Sequence, residues 1–192
     1  MWRTFTTTLN LGCLFTGQRD HDRPGKESPA IATRVAAIGV SHWHSLYDFA
    51  YLRHLARMDD VQIVGLHDDD PGIGEHRANE IGGNIPTFID YRQMLSQLKP
   101  DFVLALGRHD TMGQIAHHLL DSRIPFVMDK PMSYSARELR GVVEKAEATH
   151  GFAAVPLSQR HQQIVVTAKK LAEEGTYGPL TQFYARLNTP TS

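Results

Sequence analysis

The chain has 192 residues, of which 41% are hydrophobic, enough for one ordinary domain with a packed core and a remainder. Its 20 basic and 21 acidic residues nearly cancel, which excludes the electrostatic footprint of a nucleic-acid binder or of a partner for anionic membranes. A single cysteine, Cys13, excludes an intrachain disulfide framework and fits a reducing, cytoplasmic setting, and no apolar run approaches the roughly 18 residues that span a bilayer.

Residues 1–33 read as a mobile N-terminal extension, with threonines at Thr6, Thr7 and Thr8 and a polar run from Gly17 to Pro29. The modestly apolar residues 9–15 are broken by Gly12 and no small-residue cleavage site follows, so the extension is preferred over a secretory signal. Residues 35–38 then form a short apolar run that suits a buried parallel strand, and Gly39 stands where a strand-to-helix turn needs a residue without a Cβ. The dinucleotide fingerprint places three glycines here, and the three positions are Gly39, Ser41 and His44. With one glycine of three, the turn by itself is equally well read as a plain strand-to-helix connection.

Apolar residues recur at helical spacing over 46–58, which predicts a first crossover helix, and residues 61–66 form a second buried strand. That strand delivers Asp68, Asp69, Asp70 and Pro71. Asp68 follows the turn at close to the spacing of about 20 residues at which the dinucleotide fold sets an acid on the adenosine ribose. The alternation continues with a helix over 72–81, a strand over 85–88, a helix capped by Asp90 through Leu98, and a strand over 101–106 opening into Gly107, Arg108 and His109. A helix over 112–120, a strand over 125–128 ending at Asp129-Lys130-Pro131, and a helix from the capping box at Ser135 and Glu138 to His150 complete residues 34–156. Strands alternating with such helices predict an α/β fold with a doubly wound, Rossmann-like parallel sheet and ligands at the carboxyl ends of its strands.

These features together resemble the Gfo/Idh/MocA oxidoreductases over about residues 34–187. The resemblance rests on the strand and turn ending at Gly39, on Asp68 to Pro71, and on Asp129-Lys130-Pro131, similar to the family's Glu-Lys-Pro motif. It rests also on residues 173–180, similar to the passage leading into the family's second domain. It implies that Lys130 lies beside the nicotinamide and the substrate carbinol, where a cation stabilises the developing alkoxide and relays its proton. Asp129, shorter than the family's glutamate, is expected to orient Lys130. Gly39, Ser41, His42, His44, Asp68, Gly107, Asp129, Lys130 and Pro131 form the expected cofactor contacts. Arg108 and His109, where members usually read Thr-Pro-Asn, either touch the nicotinamide side or are solvated.

The expected function is NAD(P)-dependent hydride transfer between nicotinamide and a carbinol of a sugar, polyol or related small molecule. The alternative is a module that holds a dinucleotide without turnover. Asp68, with Asp69 and Asp70 and no basic neighbour, favours NAD over NADP because a carboxylate accepts ribose hydroxyls and repels a 2′-phosphate. Residues 157–192 read as a linker helix over 163–174 and the first strand of an incomplete α+β substrate domain. The chain alone is therefore expected to be incomplete for catalysis, and by resemblance a full-length form is a homo-oligomer. His42, His44, His117 and His118 stand out among 11 histidines, yet zinc takes three or four convergent ligands and the cysteine lies in the extension, so no metal site is expected.

Overall fold

The computed structural model describes residues 32–47, 50–184 and 186, so the extension before residue 32, with Cys13, lies outside the described residues. Strands β1 (Thr33–Ile38), β2 (Val61–His67), β3 (Thr87–Phe88), β4 (Phe102–Ala105), β5 (Phe126–Met128) and β6 (Ala153–Ala154) form one all-parallel sheet in the order β3-β2-β1-β4-β5-β6. The chain moves outward from β1 to β3 and restarts at β4 on the other side of β1. That reversal makes β1/β4 the switch point of a Rossmann-like α/β fold.

Both faces of the sheet are apolar because both are covered. Ala36 and Ile38 of β1, with Val103 and Ala105 of β4, join a core shared with Met94, Met112, Ile115, Leu119 and Val142, from helices α3 (Tyr91–Leu98), α4 (Met112–Asp121) and α5 (Ala136–Thr149). Ala37, Leu104 and Leu106 point the other way, toward Leu52 and Ala78 of α1 (Tyr51–Leu55) and α2 (Pro71–Glu80). Strand residues of alternating direction are thus apolar on both sides, as parallel sheets require.

The first crossover departs from the expected continuous helix over 46–58. The chain makes a 3₁₀ turn at Trp43–Ser45, passes through left-handed Ala50 with φ 46°, and only then enters the short α1. Leu46 and Leu52 are both buried, and on one helix positions six apart point about 120° away from each other. Resetting the backbone at Ala50 lets both reach the core. α3 begins as expected, with the Asp90 carboxylate accepting from the N–H groups of Arg92 and Gln93 at 2.8 and 3.3 Å. At the start of α5, Ser135 accepts from the Glu138 N–H at 3.4 Å, but the Glu138 carboxylate takes the hydroxyl of Ser133 in place of the Ser135 N–H. Strand β6 carries no periodic signal in its two alanines and is an addition to the expected set.

Helix α6 (Gln163–Glu174) has the expected bounds. The strand expected to begin near Leu180 is not formed: residues 180–184 are exposed and carry no ladder partner among the described residues. Among the described residues no helix is long and apolar enough to cross a membrane.

Candidate functional site

Gly39 anchors the switch point. Its φ is +71°, and a Cβ there would lie 2.2 Å from the Cα of Gly107, so the turn after β1 crosses the loop after β4 with no room for a side chain at Gly39. The N–H groups of Gly39 and Val40 donate to the carbonyl of His67 at 2.8 and 3.1 Å, tying this turn to the end of β2. The Ser41 N–H donates to the Asp68 carboxylate at 2.6 Å, and the other oxygen of that carboxylate accepts from the Asp70 N–H at 3.2 Å. Asp68 is only 4% exposed and the turn closes around it.

A cavity of about 380 Å³ opens at this crossing, lined among others by Gly39, Ser41, Asp68, Tyr91, Gly107 and Arg108. His67, Ile73, Thr111, Gln114 and Ile115 also line it. His67 is buried, its ring stands edge-on to Tyr91 at 5.6 Å between centroids, and its Nδ1 makes no hydrogen bond. Burial desolvates the imidazolium and lowers the His67 pKa against the opposing pull of Asp69 and Asp68.

The second half of the site lies where the turn after β1 faces the end of β5. The His44 Nδ1 is hydrogen-bonded to Oδ2 of Asp129, and the His42 Nδ1 stands 3.6 Å from that same oxygen. His44 and Asp129 are 2% and 1% exposed, so a charge at Asp129 is tolerable only because it is paired. The remaining Asp129 oxygen accepts from the Lys130 backbone N–H at 2.8 Å. The Asp129 carboxylate thus bonds the Lys130 main chain, and the Lys130 side chain is exposed next to the exposed Pro131. The His42 pKa is lowered first by desolvation, opposed by Asp129 and reinforced by His44, His109 and Lys130.

Arg108 and His109 take separate roles. The Arg108 guanidinium binds both oxygens of Asp110, at 3.1 and 2.8 Å, and is exposed while still reaching the wall of the first cavity. Its hydrogen bond lowers the Asp110 pKa. His109 lies between the rings of His42 and Tyr134, at 6.1 and 5.8 Å, and shares with them, Gly107, Arg108 and Asp110 a second, open cavity of about 380 Å³.

All eleven residues singled out in the sequence thus lie on the loops after β1, β2, β4 and β5. Sequence spacing did not reveal that Asp129 closes on His44 across 85 positions, nor that Tyr91 and Gln114 line the cavity. The signal available for Gln114 was its place in the first turn of a helix following a strand-end glycine. His118, one of the two adjacent histidines on α4, packs edge-on to Tyr91 at 5.6 Å away from both cavities.

A family model described as the oxidoreductase family, NAD-binding Rossmann fold, matches residues 33–156. A Schizosaccharomyces pombe protein described as an uncharacterised oxidoreductase is 23% identical over 155 residues, which are 81% of this chain and 41% of that protein. The structure of myo-inositol dehydrogenase from Lactobacillus casei, in complex with NAD(H) and myo-inositol, aligns at a TM-score of 0.70 with 17% identity, covering 77% of this chain and 43% of that one. A Gfo/Idh/MocA family oxidoreductase from Vibrio cholerae aligns at 0.60 with 26% identity over 71% of this chain and 44% of its own. The chain spans about two fifths of the length of these relatives. The matched segment contains the whole sheet and every loop that forms the crevice, and through it the chain belongs to the Gfo/Idh/MocA oxidoreductase family, carrying that family's NAD-binding Rossmann domain.

Proposed function

We propose that this chain is the cofactor-holding portion of an NAD-dependent oxidoreductase acting on a carbinol of a sugar, polyol or related small molecule. The observation that carries this reading is the cavity at the β1/β4 switch point, with a buried carboxylate on one wall and a glycine crossing at its base. The adenosine half of the cofactor fits: Ile73, Tyr91 and Ile115 supply apolar wall, and Asp68 supplies acceptors for ribose hydroxyls. Asp69 and Asp70 beside it repel a 2′-phosphate, which supports NAD over NADP. The pyrophosphate is held differently from the three-glycine pattern. The N–H groups of Gly39, Val40 and Ser41 are already bonded to His67 and Asp68, so the Ser41 hydroxyl and the Arg108 guanidinium are the groups assigned to it.

NAD, when bound, supplies the hydride acceptor. The Lys130 ammonium would hydrogen-bond the substrate oxygen and stabilise its developing negative charge while the hydroxyl proton passes to water. Pro131 and the backbone bond to Asp129 fix the root of that side chain. Tyr134 and His109 border the open cavity in which a substrate is placed. A reducing, cytoplasmic setting fits the cofactor and the one cysteine.

A second reading, dinucleotide binding without turnover, draws support from the turn N–H groups being occupied. Calorimetric titration with NAD and NADP, then NADH absorbance with a panel of polyols and sugars, separates the two. Saturable NAD binding weakened by Asp68→Ala supports the shared part of both readings. Turnover by a form of the chain extended with a substrate domain, lost in Lys130→Ala, supports the first, and absence of NAD binding contradicts both.

A further inference from the structure

Two histidines one residue apart and a distant aspartate meet at the carboxyl ends of β1 and β5, and nothing in the cofactor reading requires that meeting. We propose that His42, His44 and Asp129 form a site for a divalent transition-metal ion, with zinc as the expected occupant. One ligand atom from each of the three lies within 4.8 Å of the other two. Zinc bonds of about 2.0–2.2 Å in tetrahedral array set ligand atoms roughly 3.3–3.5 Å apart. The 3.6 Å between His42 Nδ1 and Asp129 Oδ2 is close to that spacing already. His44 and Asp129 are closer, as hydrogen-bonded partners, and part slightly when a cation replaces the proton between them.

The donor set selects the metal class. Two imidazoles and one carboxylate suit zinc, cobalt or a neighbouring transition ion, whereas magnesium and calcium take oxygen alone. The 3₁₀ turn at Trp43–Ser45 is what brings residues one apart onto one point; the His42 Nδ1 lone pair that caps it, accepting from the His44 N–H at 3.3 Å, is the one an ion takes, so the ion replaces that bond. The bond from the Lys130 N–H to the second Asp129 oxygen fixes the carboxylate with one oxygen facing the histidines, the kind of outer support that metal ligands use. Three protein ligands leave a fourth position open. His42 also lines the cavity shared with His109 and Tyr134, so water or a substrate oxygen has access to that position.

These three residues also stand among the expected cofactor contacts, so the test is run without NAD. The metal-free 192-residue chain is dialysed against Co²⁺ or Zn²⁺ and read by elemental analysis and by the visible absorption of Co²⁺. The expected result is one ion per chain, with the intense visible bands of four-coordinate cobalt. His42→Ala, at a position whose side chain is 19% exposed, and Asp129→Asn should each weaken uptake by more than the roughly ten- to hundredfold typical of outer-shell changes. The double variant Cys13→Ser, His21→Ala and the surface variant His76→Ala should leave it unchanged. Failure of the unaltered chain to take up a stoichiometric ion overturns the proposal. So does uptake that survives His42→Ala in protein with an unchanged melting profile, or that disappears with Cys13 and His21.

Discussion

Replacing Gly39 by alanine should be among the most damaging single-methyl changes in this chain. The added Cβ would lie 2.2 Å from Gly107 Cα, 2.5 Å from Gly107 N and 3.2 Å from the Leu106 carbonyl carbon, all of them backbone atoms that cannot rotate away. The φ of +71° adds the strain of a left-handed conformation in an L-residue, about 1–2 kcal/mol. Forced overlap in a packed region adds about 1–3 kcal/mol, so the total is about 2–5 kcal/mol. That is a large part of the roughly 5–15 kcal/mol that holds a domain folded. Gly82 provides the control, because its φ is +78° and nothing lies within 4 Å of its Cβ position. Gly82→Ala should cost only the strain. In urea titrations, with a slope of about 2 kcal/mol/M, the midpoint should fall by roughly 1–2.5 M for Gly39→Ala and by under about 1 M for Gly82→Ala. Equal shifts would show that the crossing at Gly107 is not tight and that Gly39 serves conformation alone.

His44→Ala strands the buried Asp129 carboxylate and should cost about 3–5 kcal/mol, read as a lowered urea midpoint; a loss under about 1 kcal/mol would mean that Asp129 finds water or another donor. Asp68→Ala removes acceptors from the Ser41 and Asp70 N–H groups as well as from the ribose, so NAD affinity should fall by roughly ten- to a hundredfold in calorimetry. An unaltered affinity would take Asp68 out of the cofactor site. Burial holds the His67 pKa below its ordinary 6.5, so as pH falls through 6.5 the unfolded chain takes up a proton that the folded chain does not. Stability should therefore decline on acidification below 6.5 and be unaffected by this group above it. His67→Gln should flatten the slope of urea midpoint against pH, and an unchanged slope would assign the effect to other groups.

The sheet was legible because its strands are short apolar runs that stop at turn-forming or charged residues, and Asp90 and Ser135 announced two helix starts. The first crossover was misread because helical spacing over 46–58 says nothing of the left-handed residue at Ala50; burial of both Leu46 and Leu52 decides that conformation, and burial is a tertiary fact. The bond between His44 and Asp129 was hidden for a similar reason. Each looked like a loop residue at the end of its own strand, and only the spatial order of β1, β4 and β5 brings them together. The strand expected near Leu180 rested on alternating residues alone, and a ladder also needs a partner.

NAD entry into the crevice at the β1/β4 switch point is read by following the backbone amides of the isotope-labelled chain by NMR as NAD is added. The largest saturable shifts should fall on Ser41, Asp68, Asp69, Gly107, Arg108 and Thr111, with little change at Arg92, Lys99 and Arg123 around the cavity at the amino ends of β4 and β5. Shifts concentrated at that second group, or none at millimolar NAD, would contradict the account.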